Sequence, residues 1–144
     1  MTIDSIVNGV VLDHIKAGRA MMLYQLLELD HLDCEVAIIK NASSKAMGKK
    51  DIIKVASDVP LKLDVLAYID DHITVNIIRD GKLVEKYKPQ LPEILVDIIR
   101  CKNPRCITST EPGISHSFRL TDRAKREYRC IYCETKASAG TEVR

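Results

Sequence analysis

The chain has 144 residues, of which 46% are hydrophobic, but it contains no tryptophan and a single phenylalanine, so its core must be built from aliphatic side chains. No apolar run approaches the roughly 18–20 residues that a membrane-spanning helix needs. The first residues lack the basic and apolar regions of a secretory signal. These features predict a cytoplasmic protein with no membrane partner, and in that compartment paired cysteines indicate metal binding rather than disulfides.

Residues 1–92 alternate between strand and helix patterns. The predicted elements are the strand 5–12, the helix 20–29, the strands 34–39 and 50–55, the helix 62–68, and the strands 73–79 and 82–87. Asp13-His14 is expected to close the first strand, and the polar residues 41–48 to form a loop. Asp80-Gly81 between the last two strands is a strong hairpin signal. The order β-α-β-β-α-β-β predicts an α+β fold, with a ferredoxin-like, mostly antiparallel sheet and two helices on one face.

A proline-containing segment divides the chain. Lys88-Pro-Gln-Leu-Pro92 contains two prolines and is interpreted as a stiff linker between domains of residues 1–92 and 93–144. In the second domain residues 93–100 are aliphatic, and residues 115–120 and 127–133 are predicted to be short strands. We therefore expect a small all-β domain built around its four cysteines.

The cysteines of the second domain have the spacing of a zinc site. Cys101 and Cys106 are five positions apart, Cys130 and Cys133 are three apart, and 23 residues separate the two pairs. This pattern predicts one Zn²⁺ bound tetrahedrally by four thiolates, a closed and therefore structural site. A domain of about fifty residues usually needs such a metal for stability. Rubredoxin-like iron is the alternative metal, while a redox role for one cysteine pair alone would leave the other pair unexplained.

The charge distribution disfavours an alternative function, a zinc-ribbon adaptor for nucleic acid or transcription. Residues 93–144 carry 10 basic and 7 acidic side chains, and binding of Zn²⁺ by four thiolates reduces that excess to about one charge. Nucleic-acid binders usually carry a strongly basic surface. The basic residues that could form such a patch, or simply a solvated charged loop, are Arg123, Lys125, Arg126 and Arg129. The fifth cysteine, Cys34, begins a predicted strand and is expected to be a small buried hydrophobe.

Lysines on two predicted strands could bind a nucleoside triphosphate. Lys50 and Lys54 lie four apart on one strand and therefore share a face, and Lys86 lies on the last strand. Ammonium groups offset polyphosphate charge, and the Asp13-His14 pair could meet the polar edge of a base. Solvent-facing lysines and a hydrogen-bonded histidine at a strand end are the alternative interpretation. Because no glycine-rich phosphate loop and no activated nucleophile is recognisable, the sequence predicts binding without catalysis.

Several short segments, each common by itself, form a combination that is specific for one protein family. They are Val11-Leu-Asp-His14-Ile, Met47-Gly-Lys-Lys50-Asp-Ile-Ile-Lys54, Thr74-Val-Asn76, the linker Lys88-Pro-Gln-Leu-Pro92, and the two cysteine pairs followed by Glu134. In this order, and over nearly the whole chain, they resemble the regulatory chain of aspartate carbamoyltransferase. The resemblance implies a non-catalytic subunit in pyrimidine biosynthesis.

The resemblance also implies partners and sites. Residues 1–92 would bind CTP as inhibitor and ATP as activator, residues 93–144 would dock on the catalytic chain through a zinc domain, and regulatory homodimers would bridge catalytic trimers. By resemblance, Val11 and Asp13 would contact the base with His14 nearby, Lys50 and Lys54 the ribose and phosphates, Lys86 the phosphates, and Asn76 the adjoining wall. The positions that would face the catalytic chain are Asn103, Arg105 and Glu134.

Overall fold

The computed structural model describes residues 6–57, 63 and 65–137. The chain divides into two compact units, Met1–Gln90 and Leu91–Arg144, called here the N-terminal and C-terminal units. Within the described ranges no helix combines the length and hydrophobicity needed to cross a bilayer.

The N-terminal unit is an α+β structure around one antiparallel sheet, which confirms the predicted class and element order. Its described elements are β1 (Gly9–Lys16), α1 (Ala20–Leu26), β2 (Val36–Ser44), β3 (Gly48–Val55), α2 (Val65–Ile69), β4 (Thr74–Arg79) and β5 (Lys82–Tyr87), with a 3-10 turn at Leu29–His31. The sheet order is β2-β3-β1-β4-β5, and every neighbouring pair is antiparallel. The first strand is therefore central, and β2 and β5 form the edges.

The two faces of this sheet differ because side chains alternate along each strand. One face is apolar and packs against the helices. Its fully buried strand residues are Leu12, Ile15, Ile53, Val55 and Val75. They form a single cluster with Ala20 and Leu23 of α1 and Leu66 of α2. The alternating residues Val11, Lys50, Ile52 and Lys54 are only partly buried and lie on the opposite face. Asp51 is the buried polar exception on the apolar face.

The predicted limits of the first strand were wrong. β1 begins at Gly9, where φ is +152° and a Cβ would collide with the backbone carbonyl of Val55. Asp13-His14 does not end the strand but lies within it, at a bulge between Leu12 and Ile15. His14 adopts a φ of +59° there, and its N–H donates to Asp13 Oδ1 at 2.6 Å. The bulge accommodates the two polar residues within the strand, and Ile15 after it is again buried in the core.

The predicted polar loop at residues 41–48 was also wrong for most of its length. β2 continues to Ser44, which pairs with Gly48, so that only residues 45–47 form the turn. A second bulge, between Ile39 and Ala42, accommodates Asn41 at a φ of +58°. The polar residues therefore extend a hairpin instead of ending it. Cys34 precedes β2 and is partly buried against the core.

The first predicted helix is shorter in the structure, and the second ends one residue later than predicted, at Ile69. α1 ends at Leu26 rather than at residue 29, because Glu28 takes a left-handed φ of +53° and starts the 3-10 turn. α2 begins at Val65, whereas its predicted start at Lys62 lies outside the described residues. The predicted hairpin at Asp80-Gly81 is confirmed. Both residues have positive φ, 51° and 75°, as a type I′ turn requires.

The C-terminal unit is a small sheet that carries the cysteines. Its described elements are β6 (Ile94–Val96), α3 (Ile107–Thr110), β7 (Ser117–Asp122) and β8 (Glu127–Cys130), with the antiparallel order β6-β7-β8. The four-residue α3 was not predicted. The last strand ends at Cys130, three residues before its predicted end, because residues 131–133 turn back toward the other cysteines. The Tyr128 hydroxyl donates to Pro92 O at 2.6 Å, which holds the end of the linker against this sheet.

A buried carboxylate joins three parts of the N-terminal unit. Asp51 on β3 is fully buried. Its Oδ2 accepts the N–H groups of Gly18 at 2.9 Å and Ala20 at 3.2 Å, and its Oδ1 accepts that of Asn41 at 2.9 Å. Asp51 therefore fixes the β1–α1 loop, the start of α1 and the bulge of β2 onto the central sheet.

Replacing Asp51 by Asn should destabilise the protein strongly. The substitution turns one acceptor oxygen into an NH₂ group that faces backbone N–H donors, so at least one buried donor loses its partner at a cost of about 2–3 kcal/mol. The measurement is the free energy of unfolding in urea at constant metal concentration. Asp71→Asn, at a side chain that is 65% exposed, is the matched control and should change it by less than about 0.5 kcal/mol. Equal effects of the two variants would contradict the assignment.

Candidate functional site

The four cysteines of the C-terminal unit converge on one point. Their Sγ atoms lie within 4.8 Å of one another. Cys101 and Cys133 are 3.6 Å apart, and Cys106 and Cys130 are 3.7 Å apart. Four sulfurs at about 2.3 Å from a tetrahedral metal ion are separated by about 3.8 Å. The spacing and the donor atoms therefore fit a metal ion bound by four cysteines.

Two tight turns, here called the knuckles, position these sulfurs. The first runs from Cys101 to Cys106 and leads into α3, and Cys106 N–H donates to Asn103 O at 3.1 Å. The second follows β8 from Cys130 to Cys133 and closes when Glu134 N–H donates to Cys130 O at 2.9 Å. Of the four cysteines only Cys133 is partly exposed. Such a set of protein ligands leaves no open coordination position and is suited to a structural role.

The pKa values of the two thiols in the Cys101–Cys133 pair are shifted in opposite directions. Burial raises the pKa of Cys101 to about 12. Burial also opposes ionisation of Cys133, but hydrogen bonds from the side chain and backbone of Thr135 and from the Asn103 side chain lower its pKa to about 6. Ionising all four thiols in so small a volume requires a cation among them.

Three side chains that sequence reasoning missed support the cysteines. The Thr108 hydroxyl donates to Cys106 Sγ at 3.1 Å, and Thr135 Oγ1 lies 3.1 Å from Cys133 Sγ. The buried His116 accepts the backbone N–H of Cys101 through Nδ1 at 3.0 Å. The sequence carries a signal for the threonines, since each lies two positions after the second cysteine of a knuckle. It carries none for His116, which the fold brings in from another segment.

In the N-terminal unit four strands place their residues in one row across the sheet. Val11 on β1 lies opposite Lys54 on β3 and Asn76 on β4, and Asn76 lies opposite Lys86 on β5. Residues directly opposite in an antiparallel pair share a face, and this is the face turned away from the apolar core. The row therefore brings together four of the residues that sequence analysis assigned to nucleotide binding.

Asp13 and Lys50 form an ion pair beside this row. Lys50 Nζ lies 2.9 Å from Asp13 Oδ1, and the two side chains are only 17% and 21% exposed. Burial disfavours the ionised carboxyl, but hydrogen bonds from Lys50 and from the His14 backbone, with the nearby positive charge, outweigh it and lower the pKa of Asp13. Both groups are therefore charged near neutral pH, and the site contains a carboxylate next to its ammonium groups.

Two further polar groups lie along the same strands. His14 Nδ1 is 2.8 Å from Thr74 Oγ1, a contact that sequence reasoning did not assign. Asn76 Oδ1 is buried and has no hydrogen-bond partner within the part of the chain that the structure describes. Buried polar atoms are nearly always paired with protein or solvent. Asn76 Oδ1 is therefore one polar atom of the row for which the described chain supplies no donor.

The positions assigned to partner docking lie around the first and second knuckles. Asn103 is partly buried, and its Oδ1 accepts Arg105 N–H at 3.0 Å, while Arg105 and Glu134 are exposed. Three apolar side chains that were not predicted are exposed on these turns or directly after them. They are Ile107 at 44%, Ile131 at 44% and Tyr132 at 52%.

Two of the basic residues considered for a nucleic-acid patch are engaged within the unit. Arg123 donates to Leu91 O at 2.9 Å and pairs with Glu93 at 3.0 Å. Arg129 donates to Glu134 O at 3.0 Å and pairs with Glu127 at 3.3 Å. Their guanidinium groups thus serve intramolecular contacts.

Comparison with known proteins gives one consistent family. Residues 1–90 match the family model described as the aspartate carbamoyltransferase regulatory chain, allosteric domain, and residues 93–141 match that of its metal binding domain. An aspartate carbamoyltransferase regulatory chain of Bifidobacterium longum is 44% identical over 137 residues, which cover 95% of this chain and 99% of that protein. One of Clostridium tetani is 48% identical over 135 residues, covering 93% and 94%. The chain belongs to the family of aspartate carbamoyltransferase regulatory chains, with an allosteric domain followed by a metal-binding domain.

Proposed function

We propose that this chain binds CTP and ATP in its N-terminal unit, holds a structural Zn²⁺ in its C-terminal unit, and docks through that unit on the catalytic chain of aspartate carbamoyltransferase. Regulatory homodimers would then link catalytic subunits in the cytoplasm and tune pyrimidine biosynthesis. The observation that carries the proposal is the row of Lys54, Val11, Asn76 and Lys86 across four strands.

The row suits a nucleoside triphosphate that lies across the sheet. Lys54 and Lys86 stand at its two ends and supply ammonium groups for phosphates, while Val11 offers an apolar contact for a base. The unpaired Asn76 Oδ1 between them needs a donor, which a ribose hydroxyl or a base amino group can supply. Lys50, held by Asp13 at 2.9 Å, adds a third ammonium whose position is already set by its partner.

Opposite responses to two nucleotides require contacts that differ between their bases. CTP and ATP share the triphosphate, so the lysines bind both and discriminate little. Discrimination is therefore assigned to β1, where Asp13 and the backbone near Val11 meet the base. A ligand shifts an equilibrium only by its differential affinity for the two states, and couplings of about 1–3 kcal/mol are usual.

Zinc is the metal that the cysteine site favours. Sulfur separations of 3.6 and 3.7 Å agree with tetrahedral thiolate coordination, which Zn²⁺ adopts without redox chemistry. The C-terminal unit has a core of few large side chains, including Leu95, Phe118 and Tyr128. The metal therefore contributes much of the stability of this unit.

The knuckles also support the docking assignment. Ile107, Ile131 and Tyr132 are exposed on turns whose shape depends on the sulfurs, and Arg105 and Glu134 lie exposed beside them. Apolar and aromatic side chains surrounded by charges are typical of the centre and rim of an interface. Docking and metal binding are thereby coupled, because loss of the metal would release both turns.

Lys54→Ala and Lys86→Ala should each weaken CTP and ATP binding by about tenfold, because each removes one charge-assisted phosphate contact. The measurement is nucleotide affinity by calorimetry with the full chain. Lys82→Ala is the matched control. A bulge in the β4–β5 pairing shifts the alternation of β5, so that Lys82, opposite Arg79, lies on the other face from Lys86. Unchanged CTP affinity in Lys54→Ala would refute the assigned phosphate site.

The Asp13–Lys50 pair should stabilise the fold only above acidic pH. Because the folded-state pKa of Asp13 is lowered, its contribution is complete above the unfolded pKa of about 3.9 and is lost as the pH falls through the folded-state value. The difference in unfolding free energy between the parent chain and Asp13→Asn should stay constant from about pH 7 to 5 and shrink below about pH 4. Lys50→Met as background should reduce this pH dependence, while the His14 backbone hydrogen bond to Asp13 remains. A difference that grows on acidification would contradict the pairing.

The full chain loaded with zinc should form a larger complex with catalytic trimers, and a chelator should abolish it. Tyr132→Asp should weaken assembly by at least about tenfold while one zinc per chain is retained, because a charge replaces an apolar contact. Leu83→Asp, at a residue of the N-terminal unit that is 56% exposed, is the control for the added charge. The measurements are sedimentation velocity and metal analysis. Failure to assemble with the cognate catalytic chain would refute the docking function.

A further inference from the structure

The two knuckles repeat one feature beyond their cysteines. In each knuckle the second cysteine is followed two positions later by a threonine, as Cys106-Ile-Thr108 and Cys133-Glu-Thr135. Other threonines of the C-terminal unit do not share this relation to a cysteine. Thr110, for example, is exposed, and its Oγ1 donates to Ile107 O at 3.5 Å. The repetition indicates a role that is tied to the sulfurs.

Both threonines place a hydroxyl against a sulfur at the same distance. Thr108 Oγ1 donates to Cys106 Sγ at 3.1 Å. Thr135 Oγ1 accepts from the Cys133 thiol at 3.1 Å, and once that sulfur is a thiolate only the hydroxyl can donate. Thr108 is only 7% exposed, so its hydroxyl has little access to water.

The arrangement distributes the two hydroxyls evenly over the sulfurs. Cys106 forms a close pair with Cys130, and Cys133 forms one with Cys101, at 3.7 and 3.6 Å. Each pair therefore receives one hydroxyl. Four thiolates around a divalent cation retain two negative charges, and hydrogen bonds to charged acceptors are about twice as strong as neutral ones. A hydroxyl can donate to a thiolate without adding a charge to the unit.

We propose that Thr108 and Thr135 are positioning residues of the metal site, whose hydroxyls donate to Cys106 Sγ and Cys133 Sγ, orient these ligands and slow loss of the metal. The inference rests on the proposed four-thiolate zinc site and adds residues that are not ligands. Thr135 has the larger effect on the rate of metal loss, since its partner Cys133 is the one ligand that is partly exposed.

Valine tests this role because it matches the shape of threonine and lacks the hydroxyl. Thr108→Val and Thr135→Val should each lower Zn²⁺ affinity by about tenfold, the lower end of the effect of such supporting hydrogen bonds. The measurement is competition with a chromophoric chelator, using the full chain. Thr108→Ser and Thr135→Ser restore the hydroxyl and should restore the affinity. Thr110→Val is the matched control and should leave it unchanged.

A spectrum of the Co²⁺-substituted chain separates hydrogen bonding from mere packing. A hydrogen bond lowers the energy of the sulfur lone pairs, so its loss should move the sulfur-to-cobalt charge-transfer band to longer wavelength. The band should shift in both Val variants and return in both Ser variants. If Thr108→Val does not fold, the pair Thr108→Ser and Thr135→Val still decides the matter, through retention of the band in the first and its shift in the second.

The outcomes distinguish this inference from the proposed function. A parent chain without a four-thiolate Co²⁺ spectrum would overturn the zinc site and this inference with it. A parent chain with that spectrum, together with Val variants of unchanged affinity and band position, would overturn the role of the hydroxyls alone. Equal losses in the Val and Ser variants would do the same, since they would indicate that the methyl group matters and the hydroxyl does not.

Discussion

Four cysteine sulfurs lie within 4.8 Å of one another, and their negative charges can coexist at that distance only around a cation. This constraint governs the C-terminal unit. Its sheet has three short strands. The two knuckles are separate loops, and a shared ion would hold their sulfurs together. The exposed apolar side chains on the knuckles depend on the same ion, because their positions follow from the two turns. In the proposed assembly, the metal would thereby control how these side chains meet the catalytic chain.

The N-terminal unit is constrained differently, because it gathers charged side chains on one face of a single sheet. Its helices cover the apolar face and leave the other to polar residues of the central strands. Three lysines gathered on one face repel one another, and the Asp13 carboxylate beside Lys50 offsets part of that repulsion. A polyphosphate would offset the remainder. In the proposed nucleotide site, a bound ligand would thus relieve repulsion between the lysines, which is a physical route by which binding could change the rigidity of the sheet.

Sequence reasoning was most successful where the chemistry is local. The cysteine pairs were recognised because ligands of a knuckle lie three to five positions apart in the chain. The shared face of Lys50 and Lys54 followed from the period of two in a strand, and the Asp80-Gly81 turn from the need for positive φ at both positions. The limits of β1 and β2 were misjudged because each strand contains a bulge. A bulge places polar residues inside a strand, where alternation alone predicts its end.

The sequence alone determined the family, the shared face of Lys50 and Lys54, and the set of cysteines that converge. These features depend only on residue type and on short spacings along the chain. Only the tertiary structure decided which residues of different strands stand opposite one another. The row from Lys54 through Val11 and Asn76 to Lys86 depends on the register of three strand pairs. That register is set by bulges, by the Asp51 contacts and by the packing of the core, which act between residues distant in the chain. The strand neighbours of Asn76 and the contact of His116 with the Cys101 backbone likewise join residues that are distant in the chain.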